Sequence, residues 1–139
     1  MEKKVCYIKN GKLLDKYEEG VETDKLAVFG TDCEFVLSLK DFDYKTFEDA
    51  KESVATLGEG WECPDRKQAY AIFDNLTEIK EKAAELNVFF FEDVRVIWTR
   101  EECNPGEDAY ELIMSNGDFL VSYEENLNYA VAINDTIIF

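Results

Sequence analysis

The side chains of this 139-residue chain best suited to chemistry are aromatic and amide groups in its second half: Trp98, Arg100, Tyr110, Tyr123, Asn126, Asn128 and Tyr129. Rigid aromatics beside adaptable amides are what recognition surfaces use, because they offer a large contact area at little conformational cost. Trp98 and Tyr110 stand in short apolar or alternating runs and read first as core anchors of a sheet. Arg100, Tyr123, Asn126 and Asn128 read as the better residues for an exposed face. Nucleophilic catalysis has a much poorer footing. The sequence contains no histidine, which removes Ser-His-Asp and Cys-His sites, histidine-containing zinc sites and the facial triad of non-haem iron. No catalytic residue and no cofactor is assigned, and the expectation is a protein that is not an enzyme.

Carboxylates are abundant, with 31 Asp and Glu against 15 Lys and Arg and a net charge of −16. Glu101, Glu102, Glu107 and Asp108 gather around Asn104-Pro105-Gly106, and calcium takes oxygen ligands of this kind. Their spacing does not resemble an EF-hand loop, so no metal site is assigned. Paired acids also hydrolyse glycosides, but among 31 acids some pair will always suit. The charge is spread along the whole chain, whereas duplex binding relies on Lys and Arg displacing counterions. Nucleic acid and anionic membrane are therefore not expected as partners. Self-repulsion for solubility is the plain meaning of such a surface.

Cys6, Cys33, Cys63 and Cys103 contain no CxxC pair and read as reduced, mostly buried thiols that pack as small hydrophobes. Disulfides stay open for an exported protein. The first residues carry charge without an apolar run of signal-peptide length, and no stretch is apolar for long enough to cross a bilayer. The expected location is cytoplasmic, or the cell surface if a leader has been removed.

One domain over 1–139 is expected from the length. Ten Phe, seven Tyr and two Trp within a 46% hydrophobic composition can fill its core. Residues 5–8 read as a strand that turns at Asn10-Gly11, a type I′ pair, and returns over 12–14. The polar segment 16–25 reads as a loop, and 26–29 with 34–39 as a hairpin about Gly30-Thr31-Asp32. Thr46 caps a helix whose Phe47, Ala50, Val54 and Leu57 form one stripe, ended by Gly58 and Gly60. Asp65 caps the next, with Gln68 at the third helical position and Ala69, Ile72, Phe73 and Leu76 inward. Thr77 is read as the cap of a further helix with Ile79, Ala83 and Leu86 inward and Asn87 at its end; whether these two join into one bent helix stays open. Strands follow over 88–91, 95–98, 109–114, 119–123, 129–133 and 136–139. Turns stand at 103–106 and 124–128, and Ser115-Asn116-Gly117-Asp118 makes a second Asn-Gly hairpin.

Several motifs fall in a particular order. Phe35-Val36-Leu37-Ser38-Leu39-Lys40-Asp41 precedes the first helix, and Phe47-Glu48-Asp49-Ala50 opens it. Gly60-Trp61-Glu62-Cys63-Pro64-Asp65 leads into the second helix. Ile97-Trp98-Thr99-Arg100-Glu101 and Ala109-Tyr110-Glu111-Leu112 follow, the latter with Asn116-Gly117. Covering about 25–134, the set resembles bacterial C-type-lectin-like domains. Within them it is most similar to a widespread bacterial family of unknown function, akin to the formylglycine-generating (sulfatase-modifying) fold and to variable proteins of diversity-generating retroelements. Glu62 departs from that pattern by replacing an Arg, and Ala130-Val131-Ala132-Ile133 replaces a Val-Arg strand. Nothing around Cys63 or Cys103 matches the cysteines of formylglycine-generating enzymes, and the sugar and calcium motifs of true lectins are missing.

The resemblance implies an α+β fold, C-type-lectin-like, with two helices packed on a twisted antiparallel sheet and a C-terminal β meander. It further implies a ligand face over about 98–111 and 123–129. The function expected is non-catalytic recognition of a protein or glycan through the meander loops. The alternative is an acidic cytosolic interaction protein, an inhibitor or nucleic-acid mimic, that engages a basic partner by charge complementarity.

Overall fold

The computed structural model describes residues 4–90, 95–137 and 139. Strand β1 (Val5–Lys9) returns as β2 (Lys12–Leu14) through Asn10 and Gly11, whose φ values of 50° and 77° are both positive as a type I′ turn demands. Strands β3 (Lys25–Gly30) and β4 (Cys33–Ser38) pair without a break from Lys25–Ser38 to Gly30–Cys33. After β5 (Tyr44–Lys45), Thr46 caps helix α1 (Phe47–Ala55) by accepting from the Asp49 N–H, and Phe47, Ala50 and Val54 go inward. Strand β6 (Trp61–Glu62) leads to α2 (Arg66–Asp74), where Asp65 and Gln68 exchange both bonds of a capping box.

Helix α3 (Leu76–Glu85) follows α2 directly as a separate helix, which answers the question the sequence left open and gives three helices among the described residues where the resemblance implied two. The corner between them is Asn75, whose backbone N–H and side-chain amide both return to the Ala71 carbonyl, the latter at 2.8 Å. Those bonds close α2 and leave Thr77 inside the first turn of α3 instead of capping it. At the far end Asn87 takes φ 61° while its own N–H and that of Val88 cap the carbonyls of Ala84 and Ala83. The chain then leaves at an angle set by this cap, and 88–90 is irregular where a strand was expected, with Phe90 buried. Phe91 lies outside the described residues.

The remaining strands are β7 (Val96–Asn104), β8 (Asp108–Ile113), β9 (Asp118–Tyr123), β10 (Asn128–Tyr129) and β11 (Ile133–Asn134). They complete two sheets: a six-stranded one in the order β2-β1-β3-β4-β11-β6, and a five-stranded one in the order β5-β10-β7-β8-β9. The fold is thus mixed α+β with two largely antiparallel sheets instead of one, and among the described residues only β10 against β7 runs parallel. Residues 130–132 carry the chain from one sheet to the other. There the Ala130 N–H donates to Asp43, and the Ala132 carbonyl accepts from Ser38. This crossing interrupts the strand expected over 129–133. The strand expected at 136–139 is absent from the described residues because Asn134 Oδ1 takes both the backbone N–H and the hydroxyl of Thr136 and turns the chain away; Ile138 lies outside the described residues.

The β8–β9 hairpin has a four-residue loop between Ile113 and Asp118, with φ positive only at Gly117. A Cβ on Gly117 would stand 2.6 Å from the Phe73 ring, so α2 lies tight against this turn. Leu26, Val28, Leu37, Ile72, Ile79, Ile97, Leu112 and Ile133 share the principal core. Phe47, Trp98, Ala109, Ala130 and Ala132 form a second cluster beneath α1. Among the described residues no helix is long and apolar enough to cross a membrane.

Candidate recognition surface

The aromatic and amide residues singled out in the sequence divide sharply between interior and surface. Trp98 is wholly buried, donates from its indole N–H to the Lys45 carbonyl at 2.8 Å and meets Phe47 edge-on at 5.5 Å. Tyr129 is buried too. Its hydroxyl donates to Asp41 at 2.6 Å, and the Arg95 guanidinium lies 4.4 Å from its ring centre. The Tyr129 hydrogen bond, helped by Arg95, holds the Asp41 carboxyl below the usual range, while burial and then Asp41 push the phenol up. Tyr110 is half-buried under the Arg66 guanidinium at 4.1 Å. Asn128, read as an exposed amide, is buried and donates to Glu111 at 3.1 Å.

Arg100, also expected on an open face, is only partly exposed, with 29% of its side chain open to solvent. β7 bulges between the pairs Trp98–Glu111 and Glu102–Ala109, which gives it two more residues than the facing stretch of β8. Such a bulge re-aims side chains. The Arg100 backbone N–H reaches the Pro64 carbonyl at 2.8 Å, and its Nη1 donates to the Cys63 carbonyl and to Gln68 Oε1, both at 2.8 Å. Glu62 and Asp65 each stand 3.5 Å from the same guanidinium. Arg100 therefore ties β7 to the segment that opens α2.

Tyr123 and Asn126 remain on the surface and come together. Tyr123 is 64% exposed, and the Asn126 amide donates to Ser122 Oγ at 3.2 Å. With Asp108, Glu111, Val121 and Ser122 they line an open depression of about 460 Å³ at the border of β8 and β9. Besides Val121, at 48% exposure, Leu120 in the same strand and Leu127 just before β10 are exposed, at 50% and 63%, and the sequence reading placed none of the three on the surface. An apolar strand gives no periodic sign of which face is covered. The strands read after β9, over 129–133 and 136–139, could each have flanked it, so nothing in the sequence marked β9 as an outer strand.

A carboxyl pair sits at the same end of the meander. Glu102 accepts from the Gly106 N–H at 2.8 Å, which holds its carboxyl down. Glu124, beside it, has one oxygen shut from solvent without a hydrogen-bond partner among the described residues. Burial, then Glu102 and Glu48, push its carboxyl up to about 7 against the opposing pull of Lys51. A folded-state value above the ordinary one means that the stabilisation is complete below the ordinary carboxyl range and is lost as pH rises through about 7. Glu102, shifted the other way, acts only at more acid pH. The melting temperature is accordingly expected to fall by a few degrees between about pH 5 and about pH 8, and Glu124→Gln should flatten that decline. Thermal melts followed by circular dichroism test this; an unchanged slope in the variant would remove Glu124 as its source.

The cysteines are less uniformly interior than expected: Cys6 and Cys63 are buried, Cys33 is half-buried and Cys103 is exposed. Burial pushes the Cys63 thiol up to about 12, which leaves it a poor nucleophile. Among the described residues no group of three or more acidic or cysteine side chains is arranged to hold a metal ion. The elements thus define a small α+β domain whose last long strand carries exposed apolar and aromatic side chains at Leu120, Val121 and Tyr123. No family model matches the sequence, and no curated protein matches it.

Proposed function

We propose that this chain is a non-catalytic recognition domain of C-type-lectin-like type that binds a protein or glycan ligand through the loops and last long strand of its meander. The observation that carries this reading is the gathering of Tyr123, Asn126 and Val121 around the β8–β9 depression, with Leu127, next to Asn126 in the chain, also exposed. Large exposed apolar groups beside amides are costly to leave bare and useful when covered. The order of elements, strands then helices then a meander, supports the lectin-like assignment. Glu62, which replaces an Arg of the family pattern, pairs with Arg100.

The net charge of −16 favours a second reading, in which the whole acidic surface engages a basic partner. Capture from a cell lysate and on a glycan panel, each at low and high salt, separates the two. Capture that resists salt and is lost in the Tyr123→Ala/Asn126→Ala variant is the expected result. Both residues are exposed, so the variant should melt as the parent does. Salt-labile capture indifferent to the variant would place binding on the charge alone.

A further inference from the structure

The four outer strands of the two sheets are very unequal. β2 has three residues and β5 and β6 two each, whereas β9 has six. Short edges are one of the devices that prevent unwanted pairing, together with Pro, Lys and inward-pointing charges. β9 uses none of them within Phe119-Leu120-Val121-Ser122-Tyr123.

Its backbone is also aimed outward in a defined register. The pairing runs from Asp108–Tyr123 to Ile113–Asp118, and the Glu124 N–H donates to the Glu107 carbonyl at 3.0 Å. In an antiparallel ladder the bonding direction alternates with each residue. Even-numbered positions of β9 therefore bond to β8, and the N–H and C=O groups of Phe119 and Val121 face away from the sheet. Acids bracket this stretch: Asp118 at one end, Glu124 and Glu125 at the other, with Asp108 and Glu111 behind on β8.

We propose that β9 is a docking edge that adds an extended peptide segment as a sixth strand, the segment being apolar at its centre and flanked by Lys or Arg. This inference rests on the recognition reading above and specifies its ligand. Main-chain bonds to Phe119 and Val121 would supply affinity, and side-chain contacts with Val121 and Tyr123 would supply selectivity, as strand addition generally does. A second copy of the chain is a poor occupant. Two β9 strands paired antiparallel about Val121 would set Asp118 opposite Glu124 at both ends, and facing like charges destabilise a ladder. Basic flanks on a foreign segment meet the same acids favourably.

The probe is a short synthetic peptide of alternating Val and Thr with two Lys at each end, titrated against the full chain and followed by amide NMR. Saturable binding with slowed hydrogen exchange at Phe119 and Val121 is expected. A glutamate-flanked version should bind at least about tenfold more weakly, and so should one N-methylated at the amides that face β9. N-methylation at the alternate amides should leave binding unchanged. Val121→Pro removes an outward donor at a position where an edge strand tolerates proline; it should keep the parent's melting behaviour and lose the peptide. Equal binding of both N-methylated peptides would overturn strand addition. Absence of peptide binding, with glycan or lysate capture still dependent on Tyr123 and Asn126, would overturn this inference and leave the recognition surface standing. Loss of both would remove both.

Discussion

Replacing Trp98 with alanine should cost about 3–5 kcal/mol, the range for truncating a large buried aromatic. Its ring is wholly buried in the cluster that also holds Phe47, Ala109, Ala130 and Ala132. Ala50, Ala109, Ala130 and Ala132 belong to that cluster, and their methyl groups cannot swing inward to fill the space an indole vacates. The cavity would persist, and the edge-on contact with Phe47 would be lost. A second loss adds to it. The Lys45 carbonyl accepts the indole N–H, and an unpaired buried acceptor costs about 1–3 kcal/mol. A domain of this size has only about 5–15 kcal/mol in hand, so the variant should denature at a much lower urea concentration and melt with reduced cooperativity. Trp98→Phe restores most of the volume but not the donor, and should lose only about 1–2 kcal/mol. Urea titrations of the two variants test both terms; a Trp98→Ala loss below about 1 kcal/mol would mean that the cluster collapses around the gap.

Arg100→Ala should be the next most damaging change, at about 2–4 kcal/mol. The guanidinium serves the Cys63 carbonyl, Gln68 Oε1, Glu62 and Asp65 together. Truncation strands the carbonyl and leaves two carboxylates close to each other without their counter-charge. With 29% of the side chain exposed, water recovers part of this, which places the estimate below that of a fully buried pair. Lysine should rescue only a fraction, because a single ammonium cannot reproduce the planar fork that addresses several acceptors. Added salt should narrow the gap between Arg100→Ala and the parent, since screening weakens the repulsion left behind. Denaturation at low and high ionic strength reads this directly. A variant as stable as the parent would contradict the bracing role, whereas a folded variant that alone lost ligand capture would return Arg100 to the binding face.

What the sequence displayed most clearly was chemistry acting within one or two turns. The Asp65–Gln68 capping box, the Thr46 cap, the Asn10-Gly11 turn and the Phe47-Ala50-Val54 stripe all depend on neighbours three or four residues away, and all stand where expected. Features that depend on distant partners were hidden. Arg100 faces the interior because β7 carries a bulge against β8, and nothing in the run Ile97–Glu101 marks one. The division into two sheets depends on 130–132 crossing between them, which alternation alone does not record. Leu120 and Val121 look as apolar as any core strand, and nothing local marks β9 as an outer strand on which both side chains are exposed. Asn75 carried no local sign of the corner it makes by bonding back to Ala71.

The placement of β10 and β11 bears on how this protein is made. β10 is wedged between β5 and β7 of one sheet, and β11 between β4 and β6 of the other. Both sheets therefore wait for the same seven-residue stretch, 128–134. A nascent chain on the ribosome can form its hairpins and helices early, but neither sheet becomes continuous until that stretch has emerged. Closing both at once demands contacts distant in sequence, the kind that slow folding most. Until then the flanks of β4 and β7 stand open, and a translational pause upstream of residue 128 would hold the chain in its most aggregation-prone form.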